Sequence, residues 1–182
     1  MPHDAITIQI SDKSVLKALE RVRLAGVQPS TMLKEIGEDL MSSTKARFLA
    51  STAPDGSKWE PNSPVTVSRY LAGRSGMLTQ KGSLTKKANG LMANKKPLIG
   101  RSKQLSRSID YDVRKALLLV GSTVKDYAGT QQFGAKRGEF GTTTRGGNIP
   151  FGDIPARPFL GMSSADTASA LRVVEKYLRR AL

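Results

Sequence analysis

Few side chains in this chain of 182 residues are equipped for chemistry. It has no cysteine and a single histidine, His3. Thiol nucleophiles, disulfides, cysteine metal sites and Ser/His or Cys/His catalytic sets are thereby excluded. The nearest thing to an acid cluster is Asp110 and Asp112, which share one face if that segment is a strand. With Asp126, Glu139 and Asp153 they form the set a Mg²⁺-dependent nuclease would need. Exposed strand carboxylates are ordinarily solvated or paired, so this reading is weak. Gly134, Gly138, Gly141, Gly146 and Gly147 do not fall between a strand and a helix, so they make no phosphate-binding loop. The sequence predicts no enzyme: no catalytic residue, no cofactor and no metal.

Charge is the strongest chemical signal. The net charge is +14, from 29 Lys and Arg against 15 Asp and Glu. No acidic residue lies between Glu60 and Asp110, an interval that holds Arg69, Arg74, Lys81, Lys86, Lys87, Lys95, Lys96, Arg101, Lys103 and Arg107. Such a block repels itself unless it meets a polyanion or an acidic protein face. Lys81, Lys86, Lys87, Lys95, Lys96, Arg101 and Lys103 are therefore the candidate DNA- or partner-contacting residues. Tyr70 is the only aromatic residue in the interval, so DNA would be held through its phosphates rather than by stacking.

The elements that must position these residues read as one α+β domain over residues 1–182. A small antiparallel sheet is flanked by N-terminal helices and a C-terminal helix. Residues 5–10 alternate with period two, as a strand does, with Ile6, Ile8 and Ile10 on one side. Residues 11–25 switch to helical spacing: Val15, Leu19 and Val22 form a stripe, Leu16 widens it and Gly26 stops the helix. After Pro29, Ser30 is the expected N-cap of a second helix, whose stripe is Leu33, Ile36, Leu40, Met41, Thr44 and Phe48. Pro54-Asp55-Gly56 is a turn, and Ser63-Pro64 starts a short third helix. Residues 73–96 read as a basic loop or insertion without a clean period. A short helix near 102–108 leads into strands at 109–114 and 116–121, a plausible antiparallel hairpin. A helix over 125–134 ends at Gly134, and residues 135–148 form a Gly-rich excursion.

Residues 154–161, Ile-Pro-Ala-Arg-Pro-Phe-Leu-Gly, follow. Pro155 and Pro158 lack an N–H and force extended backbone on Ile154 and Arg157, so the segment is an extended strap. Phe159 and Leu160 hold it to the core by burial. Ser163 and Asp166 make a capping box for the last helix, which is expected to bury Leu171, Val174, Tyr177 and Leu178. Arg157, held out from the strap between two prolines, is either solvated or a subunit contact. Trp59, the sole tryptophan, is either a packing anchor for its loop or an interface residue.

One ordered set of motifs is familiar. It runs Asp55-Gly56, Trp59, Pro61 and Ser63-Pro64; Lys96-Pro97-Leu98-Ile99; Leu105-Ser106-Arg107-Ser108-Ile109; Val120-Gly121-Ser122; Tyr127-Ala128 with Gln132-Phe133-Gly134; and the strap itself. The order resembles the phage virion morphogenesis, or tail completion, family of Mu-like and P2-like contractile-tailed phages. The resemblance implies a structural virion protein that completes the tail and joins it to the head at the neck. It would act as a ring, most often a hexamer, touching tail tube or sheath and head connector proteins, with the DNA end in the ring's lumen. Its place would be the virion, after assembly in the host cytoplasm, away from membranes. Two other readings are a head-side connector or capsid-assembly factor, and a basic nucleic-acid-binding module.

Overall fold

In the computed structural model, residues 6–7, 13–24, 29–72 and 74–181 are described, and the architecture is α+β. The longest element, α2 (Pro29–Ala50), organises the rest. One side of it lies on a β-hairpin and another on the C-terminal helix. Pro29 takes the first helical position, so Ser30 sits inside the first turn and not at the cap expected for it. Gly37 is the point of closest approach to the sheet. A Cβ there would lie 2.5 Å from Cδ2 of Tyr111 and 3.0 Å from Cδ1 of Leu118.

The hairpin joins β2 (Ile109–Arg114) to β3 (Leu117–Ser122), in register from Ile109 opposite Ser122 to Arg114 opposite Leu117. Lys115 makes the turn at φ 56°. β1 (Ile6–Thr7) pairs antiparallel with the other edge of β3, giving the order β1-β3-β2. The rest of the strand expected over 5–10 lies outside the described residues, as does Gly26.

Two cores flank this sheet. The first joins α1 (Lys13–Leu24), α2 and α7 (Ser164–Ala181) through Val22, Met32, Ile36, Val173, Val174 and Leu178. Leu16 is not part of it: it is 53% exposed, because α1 buries only the stripe of Val15, Ala18, Leu19 and Val22. On α7, Ala170 and Val173 line the core and Leu171 is only half-buried, a rotation of the buried face away from the one expected. The second core gathers Phe48, Trp59, Leu105, Ile109, Ala128, Phe159 and Leu160 at the other end of α2. It is closed by α5 (Gln104–Arg107) and α6 (Lys125–Phe133).

The basic insertion is not aperiodic. After α3 (Pro64–Ala72), Leu78 and Leu84 bridge a tight turn and α4 (Lys86–Ala93) follows, capped by the Thr85 hydroxyl, which accepts from the Ala88 N–H at 3.2 Å. Leu71, Met77 and Ala88 form a small core of its own. The helix escaped the sequence reading because it has eight residues and one buried side chain. The Gly-rich excursion likewise closes on itself: Ala135 bridges Ile154 and Thr142 bridges Asn148. Among the described residues, no helix is long and apolar enough to cross a membrane.

Candidate functional site

The strap lies where the second core, α6 and the start of α7 meet; backbone partners hold its first half, where the Arg157 N–H donates to the Gln131 carbonyl at 2.8 Å, and side chains hold its second half. Ile154 exchanges both backbone hydrogen bonds with Ala135, at 2.8 and 3.0 Å. The Gln132 amide then clamps the next turn. Its Oε1 accepts from the N–H groups of Phe159 and Leu160, each at 3.0 Å, and its Nε2 donates to the Leu160 carbonyl at 3.1 Å. Trp59 Nε1 donates to the Pro158 carbonyl at 2.8 Å. Gly134 lets the strap pass: its φ is 79°, and a Cβ would sit 2.8 Å from the Ile154 oxygen.

Arg47 completes the clamp from α2. Its guanidinium donates to the carbonyls of Phe159 at 3.1 Å and Gly161 at 2.8 Å, and to the Asp166 carboxylate. Asp166 also accepts from the Ser163 N–H at 2.8 Å and hydroxyl at 2.7 Å, while its own N–H donates to Ser163 Oγ at 3.2 Å. The capping box read from the sequence is thus welded to α2. Burial by itself raises the Asp166 carboxyl; hydrogen bonds from Ser43 and Ser163 and the Arg47 charge outweigh it and hold the group below the ordinary aspartate value. Burial pulls the Arg47 guanidinium down, opposed by Asp166, and the pair stays ionised.

Arg157 is not held out from the strap. It is 7% exposed, and its Nε and guanidinium nitrogen donate to the carbonyls of Glu60 and Pro61, both at 2.8 Å. Its donors tie the strap to the loop after Trp59, an internal use of a residue read from the sequence as either solvated or a subunit contact. Trp59 is 6% exposed and meets the Phe48 ring edge-on at 5.4 Å between centroids, so it anchors its loop.

The basic candidates divide. Lys95 is half-buried; its ammonium donates to the carbonyls of Lys96 and Ile99 and lies 5.3 Å from the centre of the Tyr70 ring. Burial lowers its pKa from the usual lysine value. Lys96 donates to the Leu49 carbonyl at the end of α2. These two fasten the insertion to the body. Lys81, Lys86, Lys87, Arg101 and Lys103 are exposed and, among the described residues, have no ion-pair partner. They are the cations left to face something else.

The acidic set does not converge. Asp110 and Asp112 are exposed on β2, whereas Glu139 and Asp153 accept from the backbone of Lys136 and Arg137 on the Gly-rich hairpin. The side chain of Asp126 lies outside the described residues. Among the described residues no group of three or more carboxylates or histidines is placed to hold a metal ion.

Arg47 and Gln132 were the residues sequence reasoning missed as hubs. One signal was available: Arg47 follows Thr44 at i+3 on the buried stripe of α2, where a charge needs a partner.

The chain belongs to the phage virion morphogenesis family, whose sequence profile matches residues 10–179. That family is one of phage tail and virion structure, which implies a non-enzymatic role. No curated protein and no solved structure matches the chain.

Proposed function

We propose that this protein completes the phage tail and joins it to the filled head at the neck, acting as a ring of identical copies. The family match over residues 10–179 carries the reading. The exposed cations of residues 81–103 support it. In a neck, a DNA end or an acidic face of a neighbouring protein would neutralise Lys81, Lys86, Lys87, Arg101 and Lys103.

The test is a reconstruction of the neck in assembled particles, paired with complementation by a variant in which those five residues are changed to Glu. The expected result is a closed ring of this chain between tail tube and head connector, with the insertion in contact with DNA or protein, and tails that fail to join heads in the variant. Density for this chain elsewhere in the particle, or an insertion facing only solvent, would sink the reading. Lys95 and Lys96 are left unchanged in the variant because they hold the insertion in place.

A further inference from the structure

We propose that the hairpin of residues 135–154 in one copy docks on the outer face of the three-stranded sheet of the next copy. The inference deepens the ring reading and rests on it for its setting. Of five phenylalanines, Phe48 and Phe159 fill the core, while Phe133, Phe140 and Phe151 are 67%, 54% and 71% exposed. All three lie on this hairpin or at its base. The Phe140 N–H donates to the Ile149 carbonyl at 2.8 Å, which sets Phe140 beside the exposed Ile149. The Phe151 ring lies against Gly147. The hairpin is held stiff from within: Asp153 accepts from the Arg137 N–H at 2.8 Å and pairs with Lys136 at 3.1 Å.

An aromatic side chain presents roughly 150–250 Å². At the exposures above, the three rings and Ile149 offer on the order of 400 Å², the size at which an apolar patch marks an interaction site. That is about half of the roughly 800 Å² each partner gives to a stable interface.

The receiving face is on the same chain. α2 covers one side of the hairpin β2–β3. On the other side Leu117, 54% exposed, and Leu119, which joins none of the three cores, share a face with Asp110 and Asp112. Arg114 on this face pairs with Asp112 at 2.6 Å, and Asp110 is left without an ion-pair partner among the described residues. On a chain of net charge +14, a cationic partner surface is favoured only where carboxylates stand out. This face sets apolar residues beside carboxylates. The hairpin sets apolar residues beside Arg145 near its tip, which is exposed and without an ion-pair partner among the described residues. Among the described residues, no other element packs on either patch within one copy. Because the two differ, the contact is head-to-tail and repeats from copy to copy, and such a contact forms a ring when the rotation between copies closes.

The absence of native cysteine makes the test direct. Phe140→Cys and Leu117→Cys are introduced together, and the protein is oxidised both as concentrated free chain and in purified particles. The expected result is a ladder of dimers and larger species on a non-reducing gel, with a disulfide between positions 140 and 117 identified by mass spectrometry. An equal mixture of the two single variants should stop at dimers. The proposal is overturned if the double variant gives no ladder in either setting, if Phe140→Cys by itself dimerises, or if it is captured by a different virion protein. A neck ring without the crosslink would remove the docking and leave the neck reading. A ladder from a chain that is absent from the neck would do the reverse.

Discussion

At the scale of the residue, the pair Arg47–Asp166 matters most for stability. Both side chains are under a tenth exposed, so each charge depends on the other and on the Ser43 and Ser163 hydroxyls. Removing one partner of a buried pair leaves an uncompensated charge, at a cost of about 3–5 kcal/mol. Arg47→Met should therefore lower stability by about that amount at neutral pH, read from the denaturant midpoint. The folded pKa of Asp166 lies below its unfolded value. Its contribution is therefore complete above the ordinary aspartate value and disappears as pH falls through the lower, folded value. The gap between wild type and Arg47→Met should narrow across that acid window, leaving the part owed to the Phe159 and Gly161 carbonyls. A gap that stays constant there would show that the pair is not what the substitution disturbs. Arg157 illustrates the same rule without a carboxylate: burial lowers its pKa, with Glu60 opposing, and backbone carbonyls take up its donors.

At the scale of the element, the strap shows how an extended segment with two prolines is held without a ladder. Pro155 and Pro158 have no N–H to give, so few backbone donors need partners. Gln132 supplies two of the acceptances and one donation that remain. Gln132→Leu keeps the volume and leaves those three groups buried and unpaired. An unpaired buried group costs roughly 1–3 kcal/mol, so a loss of about 3 kcal/mol or more is expected. Trp59 is the natural reporter, since its ring packs on Phe48 and its Nε1 is bonded to the strap. Its emission should shift to the red at lower denaturant in the variant. An unchanged midpoint would mean that water replaces the amide, and that burial of Phe159 and Leu160 with the Trp59, Arg47 and Arg157 bonds holds the strap without Gln132.

At the scale of the whole molecule, the charge is arranged rather than merely high. The five exposed cations of residues 81–103 lie in an interval without an acid, from Glu60 to Asp110, whereas α2, β2 and the Gly-rich hairpin each carry carboxylates. If each of the five meets one phosphate, the affinity for duplex DNA should fall with salt with a log–log slope of about −4 to −5. Serine at all five positions should bring the slope close to zero. Binding measured from low to physiological salt checks this. A slope that survives the five substitutions would move the DNA contact to another face, and an absence of binding would leave acidic protein as the partner of the insertion.

The sequence by itself determined the α+β class, the order of the helices other than α4, the β2–β3 hairpin, the extended strap and the Ser163–Asp166 cap. Each of these follows from local periodicity, proline geometry or a short-range side-chain bond. It also carried the family, through motifs spread from Asp55 to Gly161. Only the tertiary structure decided which charged residues turn inward. Arg47 and Arg157 look like surface arginines in the sequence, and Lys95 and Lys96 look like members of an open basic tract. Their partners are backbone carbonyls and a carboxylate, most of them far away along the chain, and no local pattern encodes a contact between residues 47 and 166 or between 157 and 60. The same holds for Gly37, whose missing side chain is explained by the Tyr111 ring that arrives from another element.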